Sequence, residues 1–95
     1  EEGYAYGGVI INSRINRNIP INIQELHMPI RCADYKFLTH NSFVDCSQLH
    51  IVRLEKLKIE LYKGNMTEGH IRLIIGTVTE SKTISKKTLQ RFHLL

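Results

Sequence analysis

The sequence has no tryptophan, only two cysteines and two prolines, and its aromatic residues amount to 7%. Two cysteines, Cys32 and Cys46, cannot form the disulfide framework of a small secreted scaffold. They read as buried thiols in a reducing compartment, with a single bridge between them as the alternative; the first reading places the chain in the cytoplasm. No apolar run approaches the roughly 20 residues that span a bilayer. No cleavable leader is expected at Glu1-Glu2-Gly3, which reads as a trimmed start. His27, Cys32, His40, Cys46 and His50 lack C-x-x-C or H-x-x-x-H spacing, so neither a metal nor a cofactor is expected. A G-x-S-x-G elbow is also missing. Asn65-Met66-Thr67 fits the glycosylation acceptor pattern, which in a cytoplasmic protein is coincidence.

What is present is globular in kind. Of 95 residues, 42% are hydrophobic and 23% charged. One domain over residues 1–95 is expected. A domain of this size buries only about 60–65% of its unfolded surface, so a homodimer is an expected supplement to its stability. Charge is uneven: residues 1–50 hold four Lys/Arg against five acids, and residues 51–95 hold nine against four. A basic half attracts phosphate, or it is simply a solvated face.

Periodicity gives strands first and helices last, hence an α+β fold. Tyr4–Ile11 reads as a strand apolar enough for burial on both faces, with Gly7-Gly8 marking a bulge or close backbone approach. "NSRINRNIP" is a polar loop carrying Arg14 and Arg17. Residues 21–32 read as an extended segment with a bend or bulge near Gln24-Glu25, and Pro29 puts it at a sheet edge or interrupts it. Phe43–Val52 reads as a strand whose alternation slips. Val44 and Cys46 share one parity, Leu49 and Ile51 the other, and a bulge near Ser47-Gln48 would bring both pairs to one core. Residues 53–62 fit a helix through Leu54, Leu57 and Leu61, or a strand through Leu57, Ile59 and Leu61. Thr67 caps a helix from Glu68 to about Thr79 with a stripe of Ile71, Ile74, Ile75 and Val78. Ser85 caps a last helix in which Leu89 and Phe92 face inward and Lys86, Lys87 and Arg91 face water.

The stretch "FLTHNSFVDCSQLH" gathers His40, Ser42, Asp45, Cys46 and His50. Proximity in sequence does not make a nucleophilic triad. His40-Asn41-Ser42 reads as a turn with side chains bonded to backbone, and Asp45 as the partner of a nearby amide or an arginine. His27 and His50 read as ordinary strand residues with one face exposed. Arg14, Arg17, Arg31, Lys36 and His40 are the candidate phosphate-binding residues, and Tyr4, Tyr6, Tyr35 and Phe37 are the rings available for stacking on bases.

Two stretches, "GVIINS" (8–13) and "FLTHNSFVDCSQLHIV" (37–52) followed by "KGNMTEGHIRLII" (63–75), are similar to motifs of the PemK/MazF-like toxin family. The resemblance implies a small SH3-like antiparallel β-barrel with C-terminal helices, usually a homodimer. It further implies an endoribonuclease of a toxin–antitoxin system, or an inactive RNA-binding relative of one, with an antitoxin as protein partner. The family's arginine before the first strand has no counterpart here, since no Lys or Arg precedes Arg14. Residues 19–35 hold no Ser or Thr to stand for the family's middle-strand hydroxyl. If the chain cleaves RNA, Arg14 or Arg17 would neutralise the phosphate and His40 would serve as acid or base. The alternative is a protein-interaction module without catalytic activity, docking a partner through a strand edge or the C-terminal helix.

Overall fold

The structure is a computed structural model that describes residues 5–58, 60 and 62–95. The expectations placed on Tyr4, Ile59 and Leu61 lie outside the described residues, as does the side chain of Leu54. Its elements are β1 (Ala5–Asn12), α1 (Ile21–Gln24), β2 (His27–Ile30), β3 (Ser42–Arg53), α2 (Glu68–Glu80) and α3 (Lys86–Arg91). Short 3₁₀ turns follow β2 at Cys32–Asp34 and β3 at Leu54–Lys56.

β3 is the centre of a three-stranded antiparallel sheet ordered β1-β3-β2. Its register with β1 breaks where expected. Gly8 pairs with His50 but Ile10 pairs with Asp45, so Val9 faces a four-residue stretch, Cys46–Leu49, on β3. Surplus residues on one strand bend it and raise its twist. Cys46 and Ser47 are consecutive and both buried, which an unbroken pleat would allow only with both faces of the sheet covered. The displaced Ser47 carbonyl accepts a hydrogen bond from Thr83 Oγ1 in the turn between α2 and α3, replacing a ladder bond. The bulge brings Leu49 against the core but not Ile51, which stays 51% exposed.

Cross-strand neighbours share a face. Val44 pairs with Ile11 and Met28, and Val44 and Cys46 pack with Ile74 and Val78 of α2 and Leu89 of α3 in the core. α2 begins as Thr67 Oγ1 accepts from the His70 amide, and α3 as Ser85 Oγ accepts from the Thr88 amide. Of the α2 stripe, only Ile74 and Val78 are buried; Ile71 and Ile75 are exposed, because the narrow sheet covers little more than one i,i+4 ridge. α3 ends in a Schellman motif: Leu94 N–H donates to the Leu89 carbonyl and His93 N–H to that of Gln90. This puts His93, not a glycine, at φ 59°.

Three expectations are corrected. Residues 21–24 form a helical turn rather than a strand, because Pro20 sets the entering φ and the amides of Ile23 and Gln24 bond to its carbonyl. β1 is an edge strand rather than one buried on both faces; Tyr6 and Ile10 are 52% and 45% exposed. Its Gly7 is nevertheless a close approach, since a Cβ there would lie 3.2 Å from Leu49 Cδ1. Among the described residues the sheet is open and not a closed barrel. β2 is only four residues long and contains Pro29, which has no N–H to offer a further strand.

Both thiols are free, Cys46 buried but Cys32 only half-buried. Among the described residues no helix is long and apolar enough to cross a membrane.

Candidate functional site

The face of the sheet opposite α2 carries the row Ile10–Asp45–His27. The segment from Ser13 to Gln24 borders that face and leaves a polar cleft of about 490 Å³, lined among others by Asn12, Arg14, Asn16, His27, Asp45 and Gln48. Gln24 fixes the loop that carries the arginines. Its buried amide Nε2 donates to the carbonyls of Ile19 (2.8 Å) and Arg17 (3.3 Å), and its Oε1 accepts from Arg17 Nη1 at 3.0 Å.

Asp45 and His27 form the floor. Asp45 Oδ1 accepts from the amide of Ser47 (2.9 Å) and from Ser47 Oγ (2.5 Å). His27 Nε2 lies 3.6 Å from the same oxygen, with its side chain only 4% exposed. His27 Nδ1 sits 3.0 Å from the Ile23 carbonyl, which can only accept, so the proton of the neutral ring belongs on Nδ1. Asp45 Oδ2 takes none of these bonds, and Asp45 lines the cleft. The neighbouring thiol is not a nucleophile: burial first, and the Asp45 carboxylate second, push Cys46 up to about 11.

Asn12 pairs with Phe43 and Ile30 with Ser42, so β1 and β2 end, and β3 begins, at one end of the sheet. Arg14, Arg31 and His40 all fall at or just beyond that end. Only Arg14 lines the cleft, and it has no carboxylate partner among the described residues. Arg17 is engaged with Gln24. Arg31 reaches Asp34 at 3.3 Å on the surface. Lys36 is exposed. His40 is exposed, bonds to Thr39 Oγ1 at 2.9 Å and does not line the cleft. Ser42 Oγ donates to the His40 carbonyl, the turn bond its sequence implied.

The chain matches no family model, no curated protein and no solved structure. The chemistry of the cleft therefore rests on its own residues. One cation, several amides and a half-satisfied carboxylate face a common space, which suits a ligand carrying both a phosphate and hydroxyl donors. His27 and Asn16 carried no functional signal in the sequence. His27 sits in an apolar stretch, and its pairing with Asp45 depends on strand register. Among the described residues no group of three or more His, Cys, Asp or Glu is placed to hold a metal ion.

Proposed function

We propose that this domain binds single-stranded RNA in the cleft between the sheet and the 13–24 segment. The observation that carries the reading is Arg14, which has no carboxylate partner among the described residues, lining the same cleft as Asp45, whose Oδ2 takes no hydrogen bond from them. Arg14 neutralises a backbone phosphate, and Asp45 Oδ2 accepts the ribose 2′-hydroxyl, the group that distinguishes RNA from DNA. Asn12, Asn16 and Gln48 supply amides for base edges or sugar. The reading is of binding rather than cleavage, because His40, the expected acid or base, lies outside the cleft lining.

Fluorescence anisotropy with labelled oligonucleotides at low salt tests this. Arg14→Ala should weaken RNA binding about tenfold and lower the salt slope by about 1, as expected for one lost phosphate contact. Asp45→Asn should erase any preference for RNA over DNA of the same sequence. Failure of the wild type to bind RNA, or binding indifferent to Arg14→Ala, would overturn the proposal. The same samples on a denaturing gel report cleavage; scission lost in Arg14→Ala and His40→Ala would restore the endoribonuclease expectation.

The kinship with PemK/MazF-like toxins, the SH3-like form of the fold, an antitoxin partner and a cytoplasmic location belong to this proposal as its wider frame. The register shift between β1 and β3 supports the barrel-like form, because bulges are how small barrels turn their corners.

A second reading has its own observation. An apolar groove of about 340 Å³, with Tyr6, Val9, Ile75 and Phe92 in its walls, runs beside the outer edge of β1, which pairs with no strand among the described residues. A second copy of the chain suits it, since two β1 edges can pair antiparallel about a two-fold axis. Sedimentation equilibrium would show a dimer that Ile75→Lys, at an exposed residue of the groove wall, dissociates; a monomer at all concentrations would remove this reading.

A further inference from the structure

The cleft contains a buried imidazole that the RNA reading leaves unused. His27 is the first residue of β2, and its side chain is only 4% exposed. Both ring nitrogens face oxygen. Nδ1 lies 3.0 Å from the Ile23 carbonyl of α1, and Nε2 lies 3.6 Å from Asp45 Oδ1 on β3. A neutral ring carries one proton and can serve only one of these oxygens. With that proton on Nδ1, the lone pair of Nε2 faces a carboxylate. A second proton goes to Nε2 and turns the contact into an attraction. At 3.6 Å, with Oδ1 already accepting from the Ser47 amide and hydroxyl, the contact is then an ion pair rather than a further hydrogen bond.

The charge of the cleft depends on that second proton. Among the described residues that line it, only Arg14, His27 and Asp45 are charged or titratable. Asn12 of β1, Ile23 of α1, and Ser47 and Gln48 of β3 are neutral. Arg17, bound to Gln24, and the exposed Glu25 are not part of the lining. While the ring is neutral, the charges of Arg14 and Asp45 cancel, and an entering phosphate meets no net charge. Once the ring is protonated, the lining is net positive. We infer that His27 is a proton switch for the cleft: protonation at Nε2 pairs it with Asp45 and strengthens the binding of an RNA phosphate at Arg14. The inference rests on the RNA reading and adds its regulation. An imidazole ordinarily changes charge between about pH 5 and 8, so mild acid is the signal. The coupling is reciprocal, and bound RNA in turn favours the proton.

Two measurements keep the switch and the RNA reading apart. The first uses no RNA. Imidazole nitrogen resonances of the wild type, followed from about pH 8 to about pH 5, should show His27 protonated at Nδ1 at the alkaline end and gaining its second proton at Nε2. A ring protonated at Nε2 at the alkaline end, or one that takes up no proton over this range, would overturn the switch. The second is anisotropy with an oligouridine of about ten nucleotides, carrying a pH-insensitive label, at constant ionic strength. Uracil and the phosphodiester keep their charge over this range, so the ligand itself does not titrate. The wild type should bind about fivefold more tightly near pH ~5.5 than near pH ~7.5. His27→Asn can still donate an amide proton to the Ile23 carbonyl but gains no charge, and should lose that difference. Circular dichroism verifies its fold, and His27→Gln takes its place if it does not fold. His40→Ala, outside the cleft lining, should keep the difference. Acid-strengthened binding that persists in the His27 variant would overturn the switch and leave the cleft reading standing. No binding by the wild type at either pH would overturn the RNA reading and the inference together.

Discussion

Replacing Tyr35 by Phe isolates one hydroxyl that ties the loop after β2 to the start of α2. Tyr35 is 5% exposed, and its ring packs against Phe37 and His70 at centroid distances of 5.2 and 5.5 Å. Phe keeps those contacts. The oxygen removed accepts from the Thr67 amide at 3.0 Å and also meets Thr67 Oγ1 at 3.1 Å and His70 Nδ1 at 2.5 Å. A lost hydrogen bond that strands a buried partner costs about 1–3 kcal/mol. Thr67 is exposed, so water recovers part of the loss and the lower half of that range, ~1–2 kcal/mol, is expected. In a domain of this size each kcal/mol moves Tm by about 4–8 °C, so Tm should fall by about 4–16 °C. Thermal denaturation followed by circular dichroism reads this directly. In a double-mutant cycle the variant should couple to His70→Ala, because the two share a bond. A Tm within about 2 °C of wild type would show that the hydroxyl anchors nothing.

Three further outcomes follow from the same geometry. His93→Gly should stabilise the protein by about 1 kcal/mol, since a non-glycine residue pays a steric cost at the positive φ of the Schellman position; a lower urea midpoint would contradict this. The folded state holds the Cys46 proton more tightly than the unfolded chain, so the stability it contributes is complete below about pH 9 and is lost toward pH 11, by about 2–3 kcal/mol in all. Cys46→Ala should flatten that alkaline decline, and an unchanged decline would refute the assignment. Gln24→Leu should lower stability by about 1–3 kcal/mol and weaken RNA binding as well, because it frees the Arg14 loop without touching the ligand; unchanged affinity at lowered stability would separate the loop's order from its function.

The helices were legible because their signals are local. Thr67 and Ser85 each cap the amide three residues on, a bond that needs no distant partner. The β3 bulge was legible as a slip of parity between Cys46 and Leu49, and its place was right to within a residue or two. Proline at position 29 pointed correctly to an edge. The α1 turn was misread because Ile21 and Ile23 alternate as a strand would, and only the bonds to the Pro20 carbonyl decide for the helix.

Within the site, Arg14 stood out as a cation in a polar loop, but Arg17, Arg31 and His40 stood out equally. Nothing in the sequence said that Gln24 would occupy Arg17, or Asp34 Arg31, leaving Arg14 alone to face the cleft. His27 and Asp45 are eighteen positions apart, and their meeting follows from the register of β2 on β3. The sequence by itself determined where the chain must bend, cap and turn, because those preferences act over three or four residues. The tertiary structure alone decided that β1 too lies at an edge, which polar side chains share a cleft and which arginine is left without a carboxylate partner among the described residues. Those outcomes depend on pairings between segments that are far apart in the chain, and no local preference encodes them.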